Sequence, residues 1–204
     1  MGNDQFKPQL VMRRARLDDL PEVQLPDGYG LRCYRDERDG AAWERIVAAA
    51  FGREIAPSET GWGEFEARMK RHEAFRPERV LFVVNDEIPV ATASAWDSPS
   101  WGEQSGQVHM VGVVPGHQGK HLGYWVSLAV LHQFRREGRR DAMLSTDDLR
   151  LPAVKTYLRL GFVPVLVHEN QRERWPEVFA AIGKPDLVAE FAEILNGPVV
   201  DRTQ

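Results

Sequence analysis

The stretch from Val108 to Phe162 constrains the chain more than any other. An apolar strand (Val108 to Val114), a loop HQGKHLG (His117 to Gly123), an apolar helix, a short strand and the segment PAVKTYLRLGF (Pro152 to Phe162) follow one another in close order. A strand that feeds a glycine-containing loop opening a helix aims several backbone N–H groups and the positive end of the helix at one point, which suits a phosphate. The helix that follows carries a tyrosine, Tyr157, as a candidate proton donor.

The remainder reads as elements added around this stretch. A strand through Leu31 and Cys33 leads to a helix from Gly40 to Phe51, whose apolar Trp43, Ile46, Val47 and Ala50 recur at helical spacing. A second helical stretch covers Glu64 to His72. Val80 to Val84, the turn signal Asn85-Asp86-Glu87 and Pro89 to Trp96 read as an antiparallel hairpin. A helix from Leu122 to Glu137 stops at Gly138, a strand returns at Ala142 to Ser145, Pro152 opens the next helix and Gly161 caps it, and Phe162 to Val167 is a strand. Interleaved strands and helices predict a mixed α/β sheet with helices on both faces. Residues 1–28 show no sustained period and read as an N-terminal extension lying over a domain at 29–182. Residues 183–204 hold an amphipathic helix, with Leu187, Phe191, Ile194 and Leu195 on one face, that packs on the body or on a second copy, so a homodimer stays open.

With 43% hydrophobic and 27% charged residues the 204-residue chain has the composition of a globular protein, and its net charge of −4 argues against a nucleic-acid-binding surface. The run Arg135, Arg136, Arg139 and Arg140 reads as a solvated helix end. The single cysteine, Cys33, excludes an internal disulfide framework and fits a reducing cytoplasm. No apolar run reaches the roughly 18 residues of a spanning helix, so no membrane partner is expected.

Within the loop, Gly119 permits a close turn, Gly123 lets helix and strand approach, and Lys120 adds a positive charge. Val113-Val114-Pro115-Gly116-His117-Gln118-Gly119-Lys120-His121-Leu122-Gly123 resembles the signature of the GNAT superfamily of acyl-CoA-dependent N-acyltransferases, and Ala153 to Phe162 is similar to that family's second hallmark. The resemblance implies a mostly antiparallel sheet splayed between its fourth and fifth strands, with the pantetheine arm of coenzyme A in the cleft. It implies that the amides of Gln118, Gly119, Lys120, His121, Leu122, Gly123 and Tyr124 cradle the pyrophosphate, while the backbone around Val111 and Val113 pairs with pantetheine. Two positions depart from the family pattern: His121 stands at its inner glycine and Arg150 at its asparagine, where a guanidinium fork suits a phosphate.

By the same resemblance Tyr157 is the general acid for the leaving thiolate, and a core aromatic is its plain structural alternative. His109 occupies a position where relatives carry a glutamate base. It shares a face with Val111 and Val113 unless a bulge intervenes. Ser145 stands where some relatives keep another glutamate. His117 and His121 are four apart, but no carboxylate or thiol completes a metal site, so no metal is expected. Trp62, Trp96 and Trp101, with Glu64, Glu66 or Asp97, either build an acceptor pocket or anchor loops. The reading is an N-acetyltransferase moving an acetyl group from acetyl-CoA to a primary amine, small molecule or peptide, by direct attack. Its rivals are a non-catalytic acyl-CoA sensor and a protein-interaction module.

Overall fold

Val80, Phe82 and Val84 turn toward one face of a strand and Leu81 and Val83 toward the other, and all five are buried. A strand covered on both sides needs apolar layers above and below its sheet, and the chain supplies both. A computed structural model of the chain describes residues 7–52 and 63–201. Within them, seven strands form one sheet: β1 (Leu10–Arg14), β2 (Tyr29–Cys33), β3 (Val80–Asn85), β4 (Ile88–Asp97), β5 (Ser105–Val113), β6 (Asp141–Thr146) and β7 (Val163–Val165). Their order is β2-β3-β4-β5-β6-β1-β7, antiparallel throughout except for β5 and β6. This is the mixed, mostly antiparallel sheet expected from the sequence.

The helices are α1 (Glu37–Phe51), α2 (Leu122–Arg136), α3 (Leu151–Arg159), α4 (Gln171–Ala181), α5 (Leu187–Glu190) and α6 (Ala192–Asn196). Trp43, Ile46 and Val47 of α1 build the smaller apolar cluster with Phe65, Met69, Phe82 and Trp96. Helices α2, α3 and α4 supply the larger one through Val126, Leu128, Val154, Tyr157, Trp175 and Phe179 among others. Local chemistry sets the boundaries. The Asp36 carboxylate caps α1 by accepting from the Arg38 amide at 2.9 Å, and Gly52, at φ 60°, ends it. In the hairpin, Asp86 and Glu87 both take positive φ, the requirement of the tight two-residue turn joining β3 to β4. The expected helix at Glu64 to His72 is shorter and wider, a π-helical turn over Glu66–Lys70.

Residues 1–28, read from sequence as an extension, contain a strand of the sheet itself. β1 pairs with β6 from Leu10↔Thr146 to Arg14↔Ala142 and with β7 from Val11↔Val165 to Arg13↔Val163. Leu10, Val11 and Met12 are all buried, so a short strand covered on both faces leaves no alternation to detect. Two buried side chains of α4 hold its approach. Gln171 donates to the Gln9 carbonyl at 2.9 Å, and Arg174 donates to the Pro8 carbonyl at 2.9 Å while pairing with Asp148 at 2.8 Å. α4 itself escapes a periodicity reading because Pro176 lies inside it, although Trp175, Val178, Phe179 and Ile182 sit at helical spacing. The tail forms α5 and α6 with a break at Phe191 instead of one helix. Leu187, Phe191 and Leu195 are buried against the larger cluster, so its apolar face packs on the body.

β5 and β6 are paired only from Ser105↔Asp141 to Gln107↔Met143, and then part while β5 continues to Val113 and β6 to Thr146. Where they pair, Gly106 admits the Phe134 ring of α2 so closely that a Cβ would lie 2.4 Å from it. On the other side of β5 the register with β4 passes from Ser94↔His109 to Thr92↔Gly112, so Ala93 faces both Met110 and Val111. Met110 takes φ 52°, the left-handed geometry of a bulge residue, and a bulge bends its strand. Gly106→Ala is expected to lower unfolding free energy by about 1–3 kcal/mol, the usual range for overpacking, because the Phe134 ring has to move. Urea denaturation measures it, and an unchanged midpoint would show that the contact yields freely.

Candidate functional site

The parted strands open a cavity of about 680 Å³. Its walls are β5 from Gln107 to Val113, the end of β6 at Ser145 and Thr146, the start of α3 through Tyr157, and the loop before α2. Among the candidates, His109, Val111, Val113, Gln118, Gly119, Leu122, Gly123, Arg150 and Tyr157 all line it. Lys120, His121 and Tyr124 do not. The side chains of Lys120 and His121 are exposed, and Tyr124 packs edge-on against Trp125 with the Arg159 guanidinium 4.6 Å from its ring centre, so these three offer the site only backbone.

The loop backbone carries the capacity for an anion. The amide of Gln118 donates to the Pro115 carbonyl at 3.2 Å and is thereby spent. Among the described residues no hydrogen bond occupies the amides from Gly119 to Tyr124, and the first helical bond runs from Trp125 to His121 at 3.1 Å. Unpaired amides at the head of a 15-residue helix form an anion-binding arrangement. Gly119 is required by its φ of 78°, whereas a Cβ on Gly123 would meet Val113 at an ordinary 3.6 Å. His121 takes φ 57°, so the imidazole residue occupies the left-handed conformation that glycine adopts freely.

Tyr157 lies on the α3 wall and is 6% exposed. Burial pushes its phenol up to about 12, opposed by the charge of Arg150. Its hydroxyl has no hydrogen-bond partner among the described residues, and it stays protonated across the physiological range. Arg150 binds Asp147 at 3.0 Å and stacks 3.7 Å from the centre of the Phe51 ring at the end of α1. Asp147 in turn accepts from Gln9 at 3.0 Å. Gln9, Phe51 and Asp147 all line the cavity, and none of them carries a sequence signal for it. Gln9 precedes a strand without period, and Phe51 is an apolar helix end.

The bulge decides the orientation of His109. Val111 and Val113 pack with the larger cluster, while His109 stacks on Trp96 of the smaller one at 5.6 Å and 24°. Regular alternation would have put all three on one face. Burial, with His72 nearby, pulls the His109 imidazole down to about 4, so it is neutral at physiological pH. Trp96 is buried between His72 and His109 and is a core residue, not a rim aromatic. Trp62 lies outside the described residues. Glu64, Glu66 and Asp97 are engaged in ion pairs with Arg68, with Lys70 and Arg71, and with Arg79 and Arg139. Among the described residues no three His, Cys, Asp or Glu side chains converge on a metal position.

A splayed parallel pair, a strand-to-helix loop with unpaired amides and Tyr157 thus border one cleft. Residues 43–162 match the family model described as the Acetyltransferase (GNAT) family. Mycothiol acetyltransferase of Nocardia farcinica is 34% identical over 161 residues, covering 76% of this chain and 52% of that protein. Its namesake from Thermomonospora curvata is 34% identical over 163 residues, 79% of this chain and 53% of that protein. Among solved structures, a GCN5-related N-acetyltransferase from Sphaerobacter thermophilus superposes with a TM-score of 0.60 at 25% identity, covering 78% of this chain and 49% of the other. One from Kribbella flavida shares the fold with a TM-score of 0.54 at 20% identity, over 78% and 55% of the two chains. The chain therefore spans about half the length of the curated relatives it matches. From the match across 43–162 and the cleft it encloses, the chain belongs to the acetyltransferase (GNAT) family.

Proposed function

We propose that this chain transfers an acetyl group from acetyl-CoA to a primary amine on a small molecule, in one direct step. The observation that carries the reading is the parting of β5 from β6, which puts a cavity, Tyr157 and the free amides of Gly119 to Tyr124 along one groove. A diphosphate fits those amides, and the groove along Val111 and Val113 accepts a pantetheine arm as an added strand would be accepted. The names of the curated relatives favour a small-molecule amine over a peptide as acceptor. A cytoplasmic setting, in keeping with the lone thiol of Cys33, goes with this reading.

In this reaction the neutral amine nitrogen attacks the thioester carbonyl, the carbon–sulfur bond breaks, and the sulfur departs against the hydrogen bond of the Tyr157 phenol. The proton shed by the nitrogen passes to water, and water supplies the proton that completes the free thiol. The burial of Tyr157 makes complete transfer costlier than for an ordinary phenol. From about 12 to a thiol near 8.5 the mismatch is about 5 kcal/mol, so the phenol acts chiefly as a hydrogen-bond donor that strengthens as sulfur gains charge. His109 is too weak a base to hold the amine's proton. At about 4 it lies roughly 4 units below an α-amine, and its role is to accept a hydrogen bond from the neutral amine or from an intervening water. Arg150, tied to Asp147 and Phe51, lines the same groove as Tyr157 and is retained as a candidate contact to the acyl carrier.

Tyr157→Phe is expected to lower kcat by about 10²–10³-fold, with the KM for acetyl-CoA within about threefold of wild type, because only the departing sulfur uses the hydroxyl. Thiol release in stopped assays across an amine panel measures it, and an unchanged kcat excludes the tyrosine as donor. Since His109 is neutral from about pH 4 upward, the acidic limb of kcat/KM follows the amine's own pKa and shows no inflection near the ordinary histidine value of about 6.5. An inflection there that vanishes in His109→Gln contradicts the neutral-acceptor role. His121→Gly removes a side chain from a left-handed residue, worth about 1 kcal/mol, and is expected to raise the thermal midpoint by about 2–4 °C. A lowered midpoint would mean that the imidazole makes a stabilising contact.

A further inference from the structure

One polar contact joins the edge strand β2 to the loop that borders the cavity. Tyr29, the first residue of β2, places its hydroxyl 2.9 Å from Nδ1 of His117, and the two rings meet edge to face at 5.8 Å and 87°. β2 is the edge strand farthest from β6 within its half of the sheet, whereas His117 ends the turn Pro115–His117 that follows β5. The loop thus reaches across the sheet end to meet this phenol. His117 is half-buried and lines the cavity next to Gln118 and Gly119, directly before the unpaired amides. Neighbouring Lys120 and His121 do not line it, which leaves His117 as the cavity-lining residue of this loop whose side chain carries a titratable donor.

A phenol has one proton and a neutral imidazole carries one N–H and one lone pair. If the tyrosine hydroxyl donates to Nδ1, the imidazole hydrogen is confined to Nε2, the nitrogen that the contact leaves open. That is the arrangement in which a neutral histidine can donate to an anionic oxygen. We propose that His117 is a phosphate-binding side chain of the cofactor groove and that Tyr29 is its positioning residue, fixing the tautomer with Nε2–H available to a phosphate of the acyl carrier. The inference rests on the acetyl-CoA reading above and adds a recognition element that the loop's backbone does not supply. A hydrogen bond to a charged oxygen contributes more than one between neutral groups, and its loss is read as roughly a tenfold change in affinity.

The test is calorimetric titration at fixed ionic strength and pH 7.5 with two donors, acetyl-CoA and S-acetylpantetheine, which shares the thioester arm but has no phosphate. For acetyl-CoA, His117→Phe is expected to raise Kd about 10-fold and Tyr29→Phe about 3–5-fold, with the double variant no weaker than His117→Phe alone. His117→Gln, whose amide N–H₂ reaches about where Nε2 lies, is expected to recover part of the loss. Affinity for S-acetylpantetheine is expected to stay within twofold throughout. An unchanged Kd for acetyl-CoA in His117→Phe overturns the inference, and so does an equal loss for both donors, which marks a distorted loop. So does full additivity of the two single variants, which separates Tyr29 from His117. Absence of acetyl-CoA binding by the wild-type protein is a different result, because it refutes the acetyltransferase reading itself and this inference with it.

Discussion

Three residue pairs hold β5 to β6, and the rest of the molecule is arranged around the place where that pairing ends. Past Gln107 and Met143 each strand has a free edge facing the other. Exposed backbone donors and acceptors of this kind are costly unless something pairs with them, and a linear amide-bearing arm is a natural partner. The tight seat of Gly106 against Phe134 lies within the paired stretch, and the bulge at Met110 on the opposite edge of β5 lies just beyond its end. Both are local features of one strand. The sheet stays continuous through the three paired residues and opens a groove past them.

Much of this was legible in the sequence because the responsible signals are local. The strand, HQGKHLG loop and helix from Val108 to Arg136 were readable because turn chemistry and helix periodicity act within a dozen residues. The placement of Gln118 to Gly123 at the head of α2 followed from that spacing, whereas the expectation for Tyr157 came from the resemblance to the family's second hallmark. Non-local features were hidden. β1 has no alternation because β6 and β7 flank it and both its faces are covered, and its partners lie more than a hundred residues away in the chain. α4 was masked by Pro176 and by Gln171 and Arg174, polar residues that are buried because they tie down residues 8 and 9. Asp147, Gln9 and Phe51 joined the groove only through tertiary contacts that no single segment encodes.

Environment, more than residue identity, sets what the ionisable groups can do. A histidine at the position of His109 suggests a base, yet stacking on Trp96 and burial leave it neutral and weak. Tyr157 looks like an ordinary phenol, yet its enclosure holds the proton more firmly than water would. Both shifts have the same chief cause, the loss of solvent around a charge, to which His72 adds for His109. In the proposed reaction both groups therefore act in their neutral forms. Arg150, which lines the same cavity, is held by its hydrogen bond to Asp147 and by its stacking on the Phe51 ring.

The groove between β5 and β6, closed at one end by the head of α2, is the proposed seat of acetyl-CoA. A backbone ¹H–¹⁵N titration with acetyl-CoA tests it most directly. The amides from Gly119 to Tyr124, together with those of Val111 and Val113, should shift strongly and gain protection from exchange, while β3 and the α5–α6 tail stay unmoved. Saturable binding that leaves those loop amides unshifted would contradict the account.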